Sequence, residues 1–388
     1  MTSAATSIFK QFLPKNIIAK IWVLAPIVKV DDEQIDYYYD FSQSIAEYTS
    51  VFNFLTLPWK WQEVNMITFK SVIDFIDEEK NKGDFFPIVL NLCDGDEING
   101  APGISVIKYL EEKGIVYTGA DEYFYDITTS KIPMKIAFDK AGVPNAPWSY
   151  FFNDDDYHPE NILSITGTPL IVKPAISGGS MGVGIKNVVE TKEELSTLTE
   201  NLLSGYRGWN LNSGGFIAER FINGPEFTVF ISGSFDKPEN AVIYTPVERI
   251  FHHSLPDKER FLSFERLWEV YETESAMPED ANFYEYGKPE ETIIDALKKI
   301  SWDAFVATKG KGYTRVDIRQ DAASGKLYVL ELNAQCGISE DENFTSIGAI
   351  IKATEKPFSL LVEEILVDAV HRGWEKLLTF IENKKQHN

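Results

Sequence analysis

The stretch from Gly312 to Ile338 reads G-Y-T-R-V-D-I-R-Q-D-A-A-S-G-K-L-Y-V-L-E-L-N-A-Q-C-G-I and constrains the fold more than any other. Two strand-like runs, 313–319 and 326–333, flank a turn-rich segment at 321–325. That pattern predicts a hairpin with a loop longer than the tightest kind. Strand side chains alternate faces, so Arg315 and Asp317 share one face of the first strand and Glu331 and Asn333 one face of the second. Val316 and Ile318 flank Asp317, and Leu330 and Leu332 interleave with the polar pair. One face is therefore expected in a core while the other looks into a place that favours charge. If the register joins the polar faces, Asp317, Glu331 and Asn333 converge with the Arg315 guanidinium. Their oxygens are hard donors, suited to Mg²⁺ carrying phosphates. The alternative is a surface hairpin with solvated charges.

Upstream, residues 18–125 alternate strand-like and helix-like runs. Strands are expected at 18–25, 87–92 and 115–119, and helices at 41–54, 69–79 and 103–113. Such alternation predicts an α/β fold with a parallel sheet covered by helices. At 388 residues the chain exceeds one simple core and suggests two or three domains. The net charge of -22 argues against a nucleic-acid or anionic-membrane partner, because most of the surface would repel phosphates. It leaves room for a local basic pocket. Cys93 and Cys336 form neither a disulfide framework nor a zinc spacing, which fits a reducing compartment. No apolar run is long enough for a membrane span. Residues 1–17 faintly resemble a targeting segment, but the first strand begins close behind them, and a cytoplasmic protein is expected.

From Asp126 the texture changes. A Lys-bearing helix over 130–141 ends at Gly142, and a strand over 169–174 places Lys173 before S-G-G-S-M-G-V-G, Ser177 to Gly184. The glycines let backbone amides turn towards an anion, and Lys173 adds a point charge, so phosphate binding is expected here. A second strand is predicted over 185–189, then strands at 215–221 and 223–230 carrying Glu219 and Glu226. Residues 251–291 form a long segment rich in acids and aromatics. Its His252-His253 pair lacks a partner at metal spacing and reads as structural. A helix over 291–308 precedes the hairpin, and one amphipathic helix over 357–383 closes the chain, with Phe358, Leu361, Ile365, Val370, Trp374 and Leu378 as its stripe.

Taken in order, V-K-P-A-I-S-G-G-S-M-G-V-G, then A-E-R-F-I-N-G-P-E-F-T-V, then R-V-D with L-E-L-N-A-Q-C-G resemble the ATP-grasp fold, and within it the D-alanine:D-alanine ligase family. The resemblance implies a three-domain α/β (α+β) architecture: an N-terminal parallel-sheet domain over 1–126, a lid domain over 127–222 and a catalytic domain over 223–388, with nucleotide clamped between the last two. It implies that Lys131 and Lys173 hold the α- and β-phosphates, and that Ser177, Gly178, Gly179, Ser180 and Gly182 belong to the loop that closes over them. Glu219 resembles the adenine-amine acceptor, the Arg220, Phe221 and Ile222 backbone the adenine hinge, and Glu226 the ribose ligand. Asp317, Glu331 and Asn333 match ligands of two Mg²⁺ ions, for which Mn²⁺ can substitute. Arg315 matches the arginine at the reacting carboxyl centre, with Lys173 and Ser180 beside it.

The implied chemistry is carboxylate–amine ligation. A carboxylate is a poor electrophile, so ATP converts it to an acyl phosphate, an amine attacks and phosphate leaves. Phosphoryl transfer to an anionic acceptor needs dense positive charge, and water must be kept out. The partners implied are a small-molecule carboxylate and an amine, with a homodimer expected from the family.

Several positions depart from the family pattern. Gly179 stands where a second serine usually touches substrate. F-L-S-F-E-R-L-W (261–268) replaces F-Y-D-Y-x-x-K-Y, so that Leu267 takes the place of a phosphate-binding lysine and Trp268 that of a tyrosine; Arg260 or Arg266 is the expected source of the missing charge. N-L-C-D-G-D-E-I-N-G (91–100) replaces a histidine-glycine motif. Nucleotide and metal positions are kept while amino-acid-recognition positions change, which suggests the same chemistry on a different carboxylate or amine. The rivals are the D-alanine:D-alanine ligase itself, a catalytically silent ATP-binding regulator and a bicarbonate-dependent carboxylase.

Overall fold

The computed structural model describes residues 8–14, 17–28, 40–205, 209–267, 274–279, 281–343 and 345–386. The first sheet is wholly parallel, in the order β2-β1-β3-β4, with β1 Ala19–Pro26, β2 Trp59–Val64, β3 Phe86–Asn91 and β4 Val116–Tyr117. β3 is buried along its whole length, as expected of a strand covered on both faces. The helices Ser42–Leu55, Phe69–Lys82 and Ile104–Glu112 lie between these strands, as expected. β2 is the strand the sequence reading missed. It is an edge strand, half exposed, and W-K-W-Q-E-V offers no continuous apolar run.

The second sheet is antiparallel, in the order β5-β8-β6-β7, with β5 Trp148–Phe151, β6 Leu170–Pro174, β7 Val188–Val189 and β8 Phe216–Arg220. One face buries Phe151, Leu170, Val172, Phe216 and Ala218 against Ile162 and against Leu195, Leu198 and Leu202 of the Lys192–Ser204 helix. The other face carries Ile171, Lys173 and Glu219 into a cavity. The strand predicted over 185–189 is shorter than expected, because Ile185–Asn187 is a 3₁₀ turn. The Asn187 side chain explains the turn: it accepts from the Gly184 N–H (2.8 Å) and donates to the carbonyls of Val172 (2.7 Å) and Gly182 (2.9 Å), so the backbone coils around it.

The third sheet runs β12-β11-β9-β13-β14, with β10 also on β9. Its strands are β9 Glu226–Ser234, β10 Lys237–Ile243, β11 Val247–Phe251, β12 Tyr284–Gly287, β13 Lys311–Gln320 and β14 Leu327–Ala334. β9 starts later than the run predicted at 223–230 and extends beyond it. Two hydrophobic cores join this sheet to the first. One gathers Ile21, Ile88 and Leu90 with Phe230, Tyr313 and the Phe358–Arg372 helix; the other gathers Trp22, Val89 and Phe124 with Val229, Val316 and Ile318.

The single closing helix expected over 357–383 is in fact two, Phe358–Arg372 and Trp374–Gln386. They part at Gly373, which comes so close to β4 that a Cβ there would lie 2.6 Å from Val116 Cγ2. Phe358, Leu361, Ile365 and Val370 are buried as expected, but Trp374 and Leu378, at 39% and 38% exposure, turn outwards beyond the break.

Candidate active site

A cavity of about 1040 Å³ lies where the three sheets meet. Its most ordered wall is the β13–β14 hairpin. Antiparallel register sets Arg315 opposite Asn333 and Asp317 opposite Glu331, with a bulge immediately after Asp317. The polar residues therefore share one face, and Val316, Ile318 and Leu332 fill the core behind it. Asp317 is buried and accepts from Thr228 Oγ1 (2.9 Å), Asn333 Nδ2 (3.0 Å) and Arg315 Nη2 (2.9 Å). Burial alone would raise its carboxyl, but the Arg315 and Arg249 guanidiniums outweigh it and hold the carboxyl below its ordinary range. Glu331 stands 3.6 Å from the Lys131 ammonium.

The second sheet supplies the opposite wall. Lys173 Nζ donates to Glu219 Oε1 at 2.8 Å, and the Lys135 ammonium lies 2.6 Å from Glu219 Oε2. This second contact is an ion pair without hydrogen-bond alignment. Burial pushes Glu219 up, but the two lysines overcome it and set the carboxyl at about 2. Burial opposes the Lys173 ammonium too, and Glu219 and Glu331 still raise it above its ordinary value. Lys131 projects from the Lys131–Ala141 helix beside Ser177, whose carbonyl and hydroxyl lie 3.5 Å away. Lys135 was missed in the sequence, although it sits one helical turn from Lys131 on the same helix face.

Glu226, also buried, is held by Arg249 and, at 3.0 Å, by Arg319. Neither arginine was singled out from the sequence, yet Arg319 continues the face of Arg315 and Asp317 at strand spacing. Arg319 Nη1 also donates to the Ile222 carbonyl (2.9 Å). In the Arg220–Ile222 segment the first two N–H groups donate to the carbonyls of Pro147 and Pro169, both at 2.9 Å. Among the described residues the Ile222 N–H makes no such bond.

The glycine-rich loop reaches the cavity with Gly179, Ser180 and Gly182 at φ of 55°, 60° and 72°. Ser180 Oγ donates to the Leu262 carbonyl (3.0 Å), and the Phe264 N–H to the Val183 carbonyl (2.8 Å), so the loop is fastened to the 257–267 segment. Leu267 lines the cavity. The two arginines expected to replace the missing lysine do not. Arg266 is buried on Glu259 (2.9 Å) and the Ser275 carbonyl (2.8 Å), and Arg260 is folded back onto the carbonyls of Leu255 and His253, both at 3.0 Å. Each satisfies its own loop. Arg249 and Arg319 are among the cationic groups that do face the cavity. Trp268 lies outside the described residues.

The family model described as D-ala D-ala ligase C-terminus matches residues 137–366. The chain belongs to the D-alanine–D-alanine ligase family. Relatives of this family include the D-alanine–D-alanine ligase of Desulfotalea psychrophila, 28% identical over 63% of this chain and 67% of that one. That of Acetivibrio thermocellus is 27% identical over 79% of this chain and 73% of that one. Among solved structures, the D-alanine–D-alanine ligase of Bacillus anthracis complexed with ATP superposes with a TM-score of 0.63 at 19% identity, covering 92% of this chain and 99% of that chain. The VanG D-Ala:D-Ser ligase of Enterococcus faecalis gives 0.64 at 14% identity over 91% and 100%. The fold is ATP-grasp, and the protein is an ATP-dependent, ADP-forming ligase of carbon–nitrogen bonds that works with Mg²⁺.

The donor set of this D-alanine–D-alanine ligase family member fits such an ion. Two carboxylates and an amide, all oxygen donors, share one corner of the cavity with cationic neighbours. Among the described residues no cluster of three His, Cys, Asp or Glu that could hold a metal ion is found. No helix of the described residues is long and apolar enough to cross a membrane.

Proposed function

We propose that this ligase joins the carboxylate of one amino acid to the amine of another through an acyl phosphate, with the hairpin as the reacting wall. The observation that carries the proposal is the register of β13 and β14, which pairs Arg315 with Asn333 and Asp317 with Glu331 across the cavity from Lys173. In this reading Asp317, Glu331 and Asn333 hold Mg²⁺, which when bound neutralises charge on the phosphates. Lys131 and Lys173 bind the α- and β-phosphates, and the 177–184 backbone covers them and excludes water. Glu219 accepts from the adenine amine; a carboxylate offers about four lone-pair sites, so its lysine partners leave room for this contact. Arg220, Phe221 and Ile222 form the hinge, and Glu226 meets the ribose. Arg315, whose pairing with Asp317 fixes its guanidinium, stabilises charge developing on the carboxyl centre.

Two substrate assignments follow from different observations. The names of the relatives favour D-alanine for both substrates. The altered 91–100 and 261–268 segments, where Leu267 lines the cavity, favour a different carboxylate or amine. The test is ADP release and product mass with ATP, Mg²⁺ and either D-alanine alone or mixtures of amino acids. A D-alanyl dipeptide mass from D-alanine alone decides for the first. A condensed mass seen only with mixtures decides for the second, and ATP binding without ADP release in any mixture overturns the ligation reading.

A further inference from the structure

The acids lining the cavity differ in one respect. Glu219 has Lys135 and Lys173, Glu226 has Arg249 and Arg319, Asp317 has Arg315, and Glu331 has Lys131. Asp96 is occupied by the backbone N–H groups of Ile98 (2.9 Å) and Asn99 (3.1 Å). Asp94 also lines the cavity, and among the described residues no cation lies against its carboxylate, whose one donor is its own backbone N–H. We propose that Asp94 receives the ammonium group of the amino-acid substrate; this deepens the ligation reading and rests on it.

Asp94 is well placed for this. It follows the C-terminal end of β3, the end at which open parallel sheets bind ligands. Its loop is fixed from several sides. The Cys93 carbonyl accepts from Gln335 Nε2 (2.7 Å) just past β14, the Tyr125 hydroxyl donates to the Gly95 carbonyl (2.8 Å), and the Gly95 N–H donates to the Pro102 carbonyl (3.0 Å). Gly95 and Gly103 make that crossing possible, since a Cβ on Gly103 would lie 1.9 Å from the Gly95 carbonyl oxygen. The backbone that carries the carboxylate is thus held rather than loose, as precise recognition requires.

Asp94 also shares a corner with the reacting wall. Burial pushes the Cys336 thiol up to about 12, and the charges it feels include Arg315, Asp317 and Asp94. A small molecule whose carboxylate meets Arg315 can therefore offer its ammonium to Asp94. Protein enclosing the Asp94 carboxyl pushes it up to about 6 although its surface opens to the cavity, the state of an acid that gains most when a cation arrives.

The test compares wild type with Asp94→Asn and Asp94→Glu. ADP release is measured with D-alanine and with a mixture of D- and L-amino acids, each against the matching des-amino carboxylic acids, propionate for D-alanine, with hydroxylamine present throughout as the common amine that traps the acyl phosphate. A fluorescent ATP analogue reports nucleotide binding separately. Wild type is expected to prefer the amino acid, and Asp94→Asn to lower that preference by about 10- to 100-fold through KM, as loss of a charged hydrogen bond implies. Nucleotide affinity is expected to hold, and Asp94→Glu to recover part of the preference. Preference unchanged in an active Asp94→Asn overturns the role of Asp94 and leaves the ligation reading standing. A wild type that binds nucleotide but releases no ADP with either substrate set overturns both.

Discussion

Lys135→Met tests whether the buried charges at the nucleotide wall act as a unit. Lys135 and Glu219 have side-chain exposures of 0% and 2%, with 2.6 Å between ammonium and carboxylate. The Glu219 carboxyl sits at about 2 instead of an ordinary 4.5, burial working against the shift and Lys135 and Lys173 producing it. At 1.36 kcal/mol per unit, that depression corresponds to about 3 kcal/mol of stability at neutral pH. Methionine keeps much of the aliphatic volume, and Lys173 still pairs with Glu219 at 2.8 Å, so the expected loss is smaller than for an orphaned buried charge, about 2 kcal/mol. The assay is urea unfolding at several pH values. A depressed carboxyl contributes stability that is complete above its unfolded pKa and disappears as pH falls through its folded one. The deficit of the variant should therefore be constant above about pH 5 and narrow by about pH 3.5. A deficit of equal size at both pH values would mean that Lys135 acts through packing alone. No deficit at all would mean that the ion pair contributes nothing.

Three further outcomes are expected. Glu331→Ala should lower ADP formation on the order of 10³-fold with an unchanged circular dichroism spectrum; retained turnover would remove Glu331 from the metal site. Gly184→Ala should weaken closure of the glycine-rich loop, because the added Cβ would lie 2.7 Å from Glu265 Oε2; the expected signature is about 1–3 kcal/mol of lost stability with slower turnover. Leu267→Lys should leave ATP affinity intact or improve it, since the position lines the cavity; weakening beyond about tenfold in a titration would show that the side chain does not face the phosphates.

What could be read from the sequence follows from what strand and helix periodicity can carry. The hairpin was legible because apolar and polar residues alternate along both arms, so the facing of Arg315, Asp317, Glu331 and Asn333 follows from chain geometry once the arms pair. β1 and β3 were legible as apolar runs, and the Lys131–Ala141 helix stopped where Gly142 adopts a φ of 71°. The edge strands β2 and β5 were not, since each is partly exposed and mixes polar with aromatic residues. Arg249, Arg319 and Lys135 escaped notice for another reason. Their identity as site residues depends on partners far along the chain; Arg319 and Glu226 are separated by 93 residues. The arginines expected to replace a lysine at Leu267 were misjudged for a nearer reason: Arg266 is claimed by Glu259, a partner within its own loop, which periodicity does not reveal.

The pairing of nearly every acid in the cavity changes how nucleotide binding must be understood. The chain carries a net charge of -22, yet the cavity is lined by as many basic as acidic side chains: Lys131, Lys173, Arg220, Arg249, Arg315 and Arg319 against Asp94, Asp96, Glu219, Glu226, Asp317 and Glu331. The cavity lining is therefore balanced in charge while the rest of the molecule is strongly negative, so a polyanion is repelled less there than elsewhere. Inside it Lys173 and Lys131 are already engaged by Glu219 and Glu331, so on the proposed assignments a triphosphate would bind them only by loosening those contacts. A cation held by Asp317 and Glu331 would offset that loss, since it would take the place of Lys131 at Glu331 as the phosphate takes the place of the carboxylate at the lysine. On the proposed assignments metal and nucleotide are coupled by exchange of ion pairs, and each should tighten the other by the same factor. Titrating the nucleotide with and without Mg²⁺, in wild type and in Glu331→Gln, measures that factor. Equal nucleotide affinity in both conditions for wild type would refute the exchange.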